Sequence, residues 1–278
     1  MARGGTLFVV ATPLGHLGDL TARAAELLRS VPVVAAEDTR RTRALLSHLD
    51  AHPRLLAYHA HAGPRAAGTV LRALEGGDDV ALVTDAGTPA VSDPGVTLVA
   101  AVRSAGYRVV PLPGASAVAA ALSAAGLPAD RYVFLGFLPR KGAERARLLE
   151  RIRDETLTMV LFEAPGRVRD LVGELADELG DDRPAVLARE MTKIHEEFTA
   201  LPLGELVHRL STQEEPRGEC TLVIAGRVAL SREESPLARR AAERLLSLGV
   251  GRREAQRFLT ELLAVSRNEA YRVVNSEQ

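Results

Sequence analysis

Short apolar runs alternate with helical segments along the first 125 residues, and this alternation limits the possible folds more than any other feature. The expected strands, such as Leu7–Ala11 and Val80–Thr84, are almost continuously apolar. Such strands are typical of parallel sheets whose two faces are both covered by helices. Helices are expected between them, for example at Ala22–Arg29 and Val96–Ala105. The pattern therefore predicts a mostly parallel sheet in an α/β domain.

We expect a two-domain α/β architecture followed by a short helical module. The first α/β domain is predicted at residues 1–125, and Ala125–Arg131 is the expected hinge. A second α/β domain is predicted at residues 126–230, and three charged helices at residues 231–278. The strands expected in the second domain are Tyr132–Phe137, Thr158–Glu163, Ala185–Arg189 and Thr221–Ala225.

Three loops rich in glycine and proline follow predicted strands. The most informative is the second loop, Asp85–Gly95 (DAGTPAVSDPG); the first loop is Ala11–Asp19 and the third is Leu112–Ala117. Glycine permits close backbone approach and positive φ, whereas proline fixes φ. An ordinary βα turn is the alternative, but most such turns need only about two to six residues. Because open α/β sheets bind ligands at the carboxyl ends of their strands, these loops predict a binding site.

Composition and motifs argue against several other classes of protein. The net charge of -1 gives no overall electrostatic case for nucleic-acid binding. Cys220 is the only cysteine, which excludes an internal disulfide, and neither the dinucleotide nor the P-loop fingerprint is present. His59 and His61 have no further ligands nearby in sequence, so we expect no metal site. No segment reaches the ~18 apolar residues of a membrane span, and a cytoplasmic enzyme is expected.

Seven motifs occur in order along the chain: ATPLGHLGD, AAEDTRRT, DAGTPAVSDPG, PLPGASA, FLGFLPRK, AREMTK and RGECTLVI. With these motifs the chain resembles the tetrapyrrole-methylase, or class III, group of S-adenosylmethionine-dependent methyltransferases, and within it those that modify small-subunit ribosomal RNA. The resemblance covers essentially the whole chain, including SRNEAYR at residues 266–272. Departures from the residues expected in this group occur at His16, Ala60, Ala62 and Gly166, which weakens a catalytic role at these positions.

The resemblance implies transfer of a methyl group from S-adenosylmethionine to the ribose 2′-oxygen of a decoding-centre cytidine in 16S ribosomal RNA. It also implies a donor cleft between two α/β domains, the small ribosomal subunit as partner, and a homodimer without membrane attachment. Two alternatives stay open: methylation of a tetrapyrrole ring, and non-catalytic binding to the ribosome. The sulfonium methyl is already electrophilic, so the reaction requires no metal.

Donor-binding residues are expected in the three loops, through backbone groups and short polar side chains. The residues expected to border the donor are Ala11, Pro13, Asp85, Gly87, Thr88, Ser116 and Ala117. A positioned base would accelerate attack by a ribose hydroxyl roughly 10²–10⁴-fold. The candidates for this base, or for orienting the substrate, are Glu37, Asp38, Asp85 and Glu190.

Substrate binding is expected from basic residues near these acids and at the start of a predicted helix. The candidates for RNA contact are Arg40, Arg140, Lys141 and Lys193. Structural alternatives stay open for these residues and for Asp38. They are Asp38 as a helix N-cap, Arg40 as the partner of a neighbouring carboxylate, Arg140 and Lys141 as part of a solvated helix face, and Lys193 as the partner of Glu196 or Glu197.

Overall fold

In the computed structural model of this chain, residues 4–60, 62–212, 217–227, 236–263, 265 and 267–275 are described. The chain divides into two compact units, Met1–Gly226 and Arg227–Gln278. The described part of the first unit contains two five-stranded sheets, and that of the second contains three helices.

The first sheet is parallel throughout, in the order β3-β2-β4-β1-β5. Its strands are β1 (Thr6–Val10), β2 (Val33–Ala36), β3 (Arg54–Ala57), β4 (Val80–Val83) and β5 (Arg108–Leu112). Strand β2 begins two residues later than the apolar run suggests. The reason is that the Val31 N–H caps the preceding helix by donating to the Leu27 carbonyl, and Pro32 has no N–H. The predicted α/β class is confirmed.

Helices cover both faces of this sheet, which explains why its strands are apolar throughout. They are α1 (Ala22–Ser30), α2 (Thr39–His48), α3 (Pro64–Glu75) and α4 (Val96–Ser104). On one face, Leu28 of α1 and Leu46 of α2 pack in a core with Val34. On the other, Leu74 of α3 and Leu98 of α4 form a second core. The carboxyl ends of the strands remain free of these layers, and the three loops lie there.

The second sheet has the order β6-β7-β10-β8-β9 and is mixed. Its strands are β6 (Tyr132–Phe137), β7 (Thr158–Glu163), β8 (Pro184–Arg189), β9 (Glu197–Pro202) and β10 (Cys220–Ile224). Strands β6 and β7 are parallel, whereas β10 runs antiparallel to β7 and β8, and β8 antiparallel to β9. The sequence did not predict β9. This strand lies at the sheet edge and carries Glu197, Thr199 and Pro202, so it lacks the apolar run of the inner strands.

Helix α5 (Ala117–Ala125) connects the two sheets because it packs on the second one. Its Val118 and Leu122 share a core with Val160, Val186 and Val223 of the second sheet. The opposite face of that sheet is covered by α6 (Ala143–Arg153), α7 (Pro165–Leu179) and α8 (Leu203–Thr212). The predicted domain boundary at residue 125 coincides with the end of α5, and division of this unit into two domains stays a prediction.

The C-terminal unit is a bundle of three helices with its own core. The helices are α9 (Pro236–Ser247), α10 (Arg252–Leu262) and α11 (Arg267–Asn275), as predicted. Their contact is made by Ala238 and Ala242 of α9, Leu259 of α10 and Val273 of α11. Within the described ranges of the chain, no helix is both long and apolar enough to cross a bilayer.

Two positions on α4 test the packing of the first sheet. Leu98 is 0% exposed in the core, whereas Val96, two residues earlier, is 61% exposed. Replacing Leu98 with Ala should lower the free energy of unfolding by about 2–5 kcal/mol, because it leaves a cavity in the core. Val96→Ala should change it by less than about 0.5 kcal/mol. Urea denaturation followed by circular dichroism measures both, and equal losses would contradict this packing.

Candidate active site

A backbone bridge joins the first and second loops at the carboxyl edge of the first sheet. The Thr12 N–H donates to the Gly87 carbonyl at 2.8 Å, and the Gly87 N–H donates back to the Thr12 carbonyl at 2.9 Å. Gly87 has a φ of 76°, which favours glycine. The bridge is possible because β1 and β4 are neighbours in the sheet, so the loops that follow them lie side by side.

The third loop is held against the other two by a hydrogen bond and by a close approach of its backbone. The Thr88 hydroxyl donates to the Ala115 carbonyl at 3.0 Å. Gly114 lies so close to the first loop that a Cβ atom there would be 2.9 Å from the Cβ of Ala11. The three loops therefore form one continuous rim rather than three independent turns.

A cavity of about 340 Å³ opens beside this rim, within the roughly 300–1,000 Å³ typical of ligand sites. Leu14, Gly87 and Ser116 line it from the three loops. The second sheet supplies the opposite wall, and the lining residues there include Phe137, Phe162, Glu163, Glu219 and Cys220. Because β10 runs antiparallel to β7, its first residues meet the carboxyl end of β7 at this wall.

Asp85 connects the acidic residues at the ends of β2 and β4. Its N–H donates to Oε2 of Glu37 at 3.3 Å, and its Oδ1 accepts from the Asp38 N–H at 3.2 Å. Its Oδ2 lies 3.4 Å from Nη1 of Arg41. Asp85 is thus held at both backbone and side chain, with one oxygen facing an arginine.

Two lining carboxyl groups have raised pKa values. Burial, together with the neighbouring negative charges of Glu37, Asp85 and Glu219, raises the pKa of Asp93 to about 6, although a hydrogen bond with Thr84 acts in the opposite direction. Burial also raises the pKa of Glu37, partly offset by the Asp85 N–H. Both groups therefore bind a proton more tightly than an exposed carboxylate does.

Three charged residues of the second sheet form an ion network, two of them just after β8 and one just before β10. Lys193 Nζ lies 2.8 Å from Oε1 of Glu190 and 3.2 Å from Oε2 of Glu219. The hydrogen bond with Lys193 lowers the pKa of Glu190, whose backbone has a φ of 51°. Burial opposes the charged form of Lys193, but its two carboxylate partners outweigh this and raise its pKa. Lys193 thus pairs with Glu190 and Glu219 and not with Glu196 or Glu197.

Most of the residues predicted to border the donor lie at the cavity. Asp85, Gly87, Thr88, Ser116 and Ala117 line it. The other two are not among the lining residues: Ala11 is buried behind Gly114, and Pro13 precedes the lining residue Leu14. Their roles in donor binding stay predictions.

The four predicted catalytic acids are placed differently. Glu37 and Asp85 line the cavity. Asp38 caps α2 by accepting from the Arg40 N–H at 2.8 Å, and its Oδ2 lies 2.7 Å from Arg40 Nη2. These contacts with Arg40 lower the pKa of Asp38. Glu190 is not among the lining residues, but its Oε1 accepts from the N–H of the lining residue Glu219 at 3.0 Å.

Of the predicted substrate-binding residues, Arg140 and Lys141 are exposed just before α6, while Arg40 and Lys193 are engaged in ion pairs. The sequence did not single out Asp93, Glu163, Glu219 or Phe137 as site residues, although Asp93 lies in the second loop and Glu219 in the RGECTLVI motif. Among the described residues, no group of three or more His, Cys, Asp and Glu is arranged to hold a metal; His61 lies outside that part of the chain.

This fold and rim define a class. Residues 6–207 match the tetrapyrrole (corrin/porphyrin) methylases, and the chain belongs to that family. Uroporphyrin-III C-methyl transferase from Thermus thermophilus, solved in complex with S-adenyl homocysteine, superposes with a TM-score of 0.57 at 21% identity, covering 80% of this chain and 97% of that one. At that identity the likeness concerns the fold. Membership of this S-adenosylmethionine-dependent family confirms the predicted methyl donor.

Within the family, the chain belongs with the proteins named ribosomal RNA small subunit methyltransferase I. The protein of that name from Pseudomonas aeruginosa is 44% identical, over 96% of this chain and 95% of its own length. The one from Escherichia coli O157:H7 is 41% identical, over 99% of this chain and 96% of its own length. The group predicted from the seven motifs is confirmed.

Gly87 and Gly77 form a matched pair for testing the rim. Both have positive φ, 76° and 92°, but Gly77 has open space around its missing Cβ and lies after α3. Gly87→Val should weaken binding of S-adenosylhomocysteine at least about tenfold, because backbone strain on the order of 1–3 kcal/mol would open the rim. Gly77→Val carries the same strain elsewhere and should bind normally. Titration calorimetry decides, and equal affinities for the two variants would count against this placement.

Proposed function

We propose that this chain transfers a methyl group from S-adenosylmethionine to the ribose 2′-oxygen of a cytidine in the decoding centre of small-subunit ribosomal RNA. The observation that carries the proposal is the acid-lined cavity at the three-loop rim, in a chain that shares over 40% identity with small-subunit RNA methyltransferases along nearly its whole length. The 2′-oxygen and the decoding centre come from the resemblance in the seven motifs.

The lining of the cavity fits a cationic methyl donor. The lining acids are Glu37, Asp85, Asp93, Glu163 and Glu219. Within the described part of the chain, Arg41 is the only basic side chain that lines it. Negative charge in a partly buried site favours a sulfonium, while the loops offer backbone N–H and C=O groups to the nucleoside part. Phe137 and Phe162, whose ring centroids are 5.7 Å apart, offer an apolar wall.

When bound, the donor supplies a methyl carbon that is already electrophilic. The work of the chain is therefore to align the attacking oxygen with that carbon, and alignment alone contributes roughly 7–11 kcal/mol in favourable cases. The rigid rim suits this task because Thr12–Gly87 and Thr88–Ala115 hydrogen bonds fix all three loops. Cys220 is not the nucleophile of this scheme, since burial raises the pKa of its thiol to about 11.

The direct test is transfer of labelled methyl from S-adenosylmethionine to small ribosomal subunits purified from cells that lack this chain. Ribose methylation should appear at a single cytidine of the decoding centre, mapped by its resistance to alkaline cleavage. Incubation with a corrinoid precursor, followed by absorbance, tests the alternative that the fold relatives suggest. A methylated corrinoid would refute the proposal in favour of tetrapyrrole methylation. Binding to subunits without methyl transfer would refute it in favour of a non-catalytic ribosome-binding protein.

Contact with RNA is proposed for the exposed pair Arg140 and Lys141, which follow the cavity residue Phe137 by three and four positions. Replacing both with Ala should weaken binding to small subunits and reduce the slope of log Kd against log salt by about 1 for each lost phosphate contact. The control is Arg103→Ala combined with Arg108→Ala, which removes the same charge from two exposed residues near the end of α4 and the start of β5. These positions lie at the amino ends of the strands of the first sheet, away from the three loops. Equal effects of the two double variants would contradict the assignment.

A homodimer and a cytoplasmic location are also proposed, because the resemblance implies the first and the ribosomal substrate the second. Light scattering after size-exclusion chromatography should give twice the chain mass of 29.7 kDa. A monomer that modifies subunits at full rate would disprove a required dimer.

A further inference from the structure

Three phenylalanine rings form a row from the core of the second sheet to the cavity. The ring centroids of Phe134 and Phe162 lie 5.0 Å apart, and those of Phe162 and Phe137 lie 5.7 Å apart, both in edge-to-face geometry. Phe134 and Phe162 pack on the core shared with α5, whereas Phe137 is 51% exposed and lines the cavity. Phe137 therefore lies where the cavity opens to solvent, which we call the mouth.

A β-bulge in β6 places Phe137 on this face of the sheet. Side chains alternate between the two faces of a strand, so residues 134 and 137 would lie on opposite faces of a regular one. In β6 the register shifts between Phe134 and Gly136, so that Phe134 pairs with Val160 and Phe137 pairs with Phe162. Val160 and Phe162 both face the core shared with α5. The extra residue thus turns Phe137 towards the cavity, as bulges beside functional sites commonly do.

The second loop packs against this bulge. Gly136 has a φ of 62°, which favours glycine, and a Cβ atom there would lie 2.7 Å from Oγ of Ser92. Ser92 itself has a φ of 60°, and Ala90 has a φ of 69°. Positive φ at a non-glycine residue costs free energy and persists only where the surroundings impose it. Strand β6 and the second loop therefore fix the position of Phe137 together.

An exposed aromatic ring beside a site for ribose chemistry suits a nucleobase. Within the described part of the chain, Phe137 is the only exposed aromatic side chain that lines the cavity; the others are Tyr132, Phe258 and Tyr271. A nucleotide whose ribose enters the cavity must leave the regular stack of bases, so its base loses its stacking partners. Proteins hold such bases on exposed aromatic rings, because every base offers a π face.

We propose that Phe137 is a substrate-binding residue whose ring stacks on the base of the nucleotide that receives the methyl group. This inference rests on the proposed ribose methylation. The ribose then lies between Phe137 and the three-loop rim, and the RNA backbone continues towards Arg140 and Lys141, three and four residues further along the chain. Stacking requires no charge, so the base is held without adding a cation to a cavity that has to favour a sulfonium.

Methyl transfer to small ribosomal subunits tests this assignment with three variants of the full-length protein. Phe137→Leu keeps an apolar side chain but removes the aromatic face. It should lower kcat/KM for subunits roughly 5–150-fold, mainly through KM, because the stack forms on binding. Phe137→Tyr keeps the aromatic face and should retain the parent value. Tyr132→Leu, which removes a 45% exposed ring at the other end of β6, is the matched control and should also retain it.

Two other occupants of the exposed ring are distinguished by the same variant. If the methyl donor covered the ring, Phe137→Leu would weaken binding of S-adenosylhomocysteine in calorimetry. If a second copy of the chain covered it, Phe137→Leu would lower the mass measured by light scattering. Either result overturns the inference. With the base as occupant, the donor affinity and the mass both stay at the parent values.

Photochemical crosslinking locates the ring without relying on turnover. Protein with p-benzoylphenylalanine in place of Phe137 is irradiated in complex with small subunits, and reverse transcription maps the crosslinked nucleotide. The crosslink should map to the methylated cytidine or to a nucleotide next to it, whereas the same group in place of Tyr132 should give none there. Crosslinks from position 137 only to distant nucleotides, or none to RNA, would contradict the stack. This measurement also decides the case if Phe137→Leu does not fold.

The outcomes separate the inference from the function beneath it. Absence of methyl transfer by the parent protein overturns the proposed function, and the inference with it. Transfer by the parent combined with an unchanged kcat/KM for Phe137→Leu overturns the inference alone. Equal losses for Phe137→Leu and Phe137→Tyr also overturn it, since the aromatic face would then not be what the substrate contacts.

Discussion

The two backbone hydrogen bonds between Thr12 and Gly87 are the contact on which the cavity depends. They form an isolated antiparallel bridge between loops that leave parallel strands, so neither loop can move without the other. Only a glycine fits easily at the bridge, because φ at residue 87 is 76°. Thr88 extends the same connection to the third loop through Ala115. A methyl donor bound in the proposed position would thus be aligned mainly by main-chain geometry.

Helix α5 makes the second sheet part of the same site. It begins at the end of the third loop and buries Val118, Ala121 and Leu122 against the second sheet. Leu14 of the first loop packs on the edge of this core and also lines the cavity. The wall formed by Phe137, Phe162 and Glu219 is therefore fixed relative to the rim by apolar packing. An N-terminal sheet expressed without the second one would expose this face of α5.

The parallel sheet and its loops could be predicted because they follow from the local sequence. Short apolar runs such as β4 are followed by loops rich in glycine and proline. The edge strand β9 could not, since Glu197 and Thr199 gave it no apolar run, and pairing with β8 decides its conformation. Within the site, Gly87 and Ser116 could be predicted because they lie in glycine- and proline-rich loops that follow strands. The opposite pKa shifts of Asp38 and Asp93 could not be predicted, because they depend on the groups that the fold brings near each carboxyl. Asp38 pairs with Arg40, two residues away in sequence, whereas the groups around Asp93 come from the ends of β2 and β4 and from the segment before β10.

The distribution of charge explains how an acidic cavity can serve an RNA substrate. Carboxylates such as Glu37 and Asp93 attract a sulfonium but repel phosphate, and at physiological salt their field extends about 8 Å beyond the surface. In the proposed complex the uncharged ribose enters the cavity, its own phosphates lie at the mouth, and phosphates farther along the RNA lie near Arg140 and Lys141. To bring this ribose into the cavity, the nucleotide must leave the regular stack of bases. A flexible or splayed nucleotide satisfies this condition more easily than one stacked in a regular RNA helix, which favours a substrate in a loop or junction.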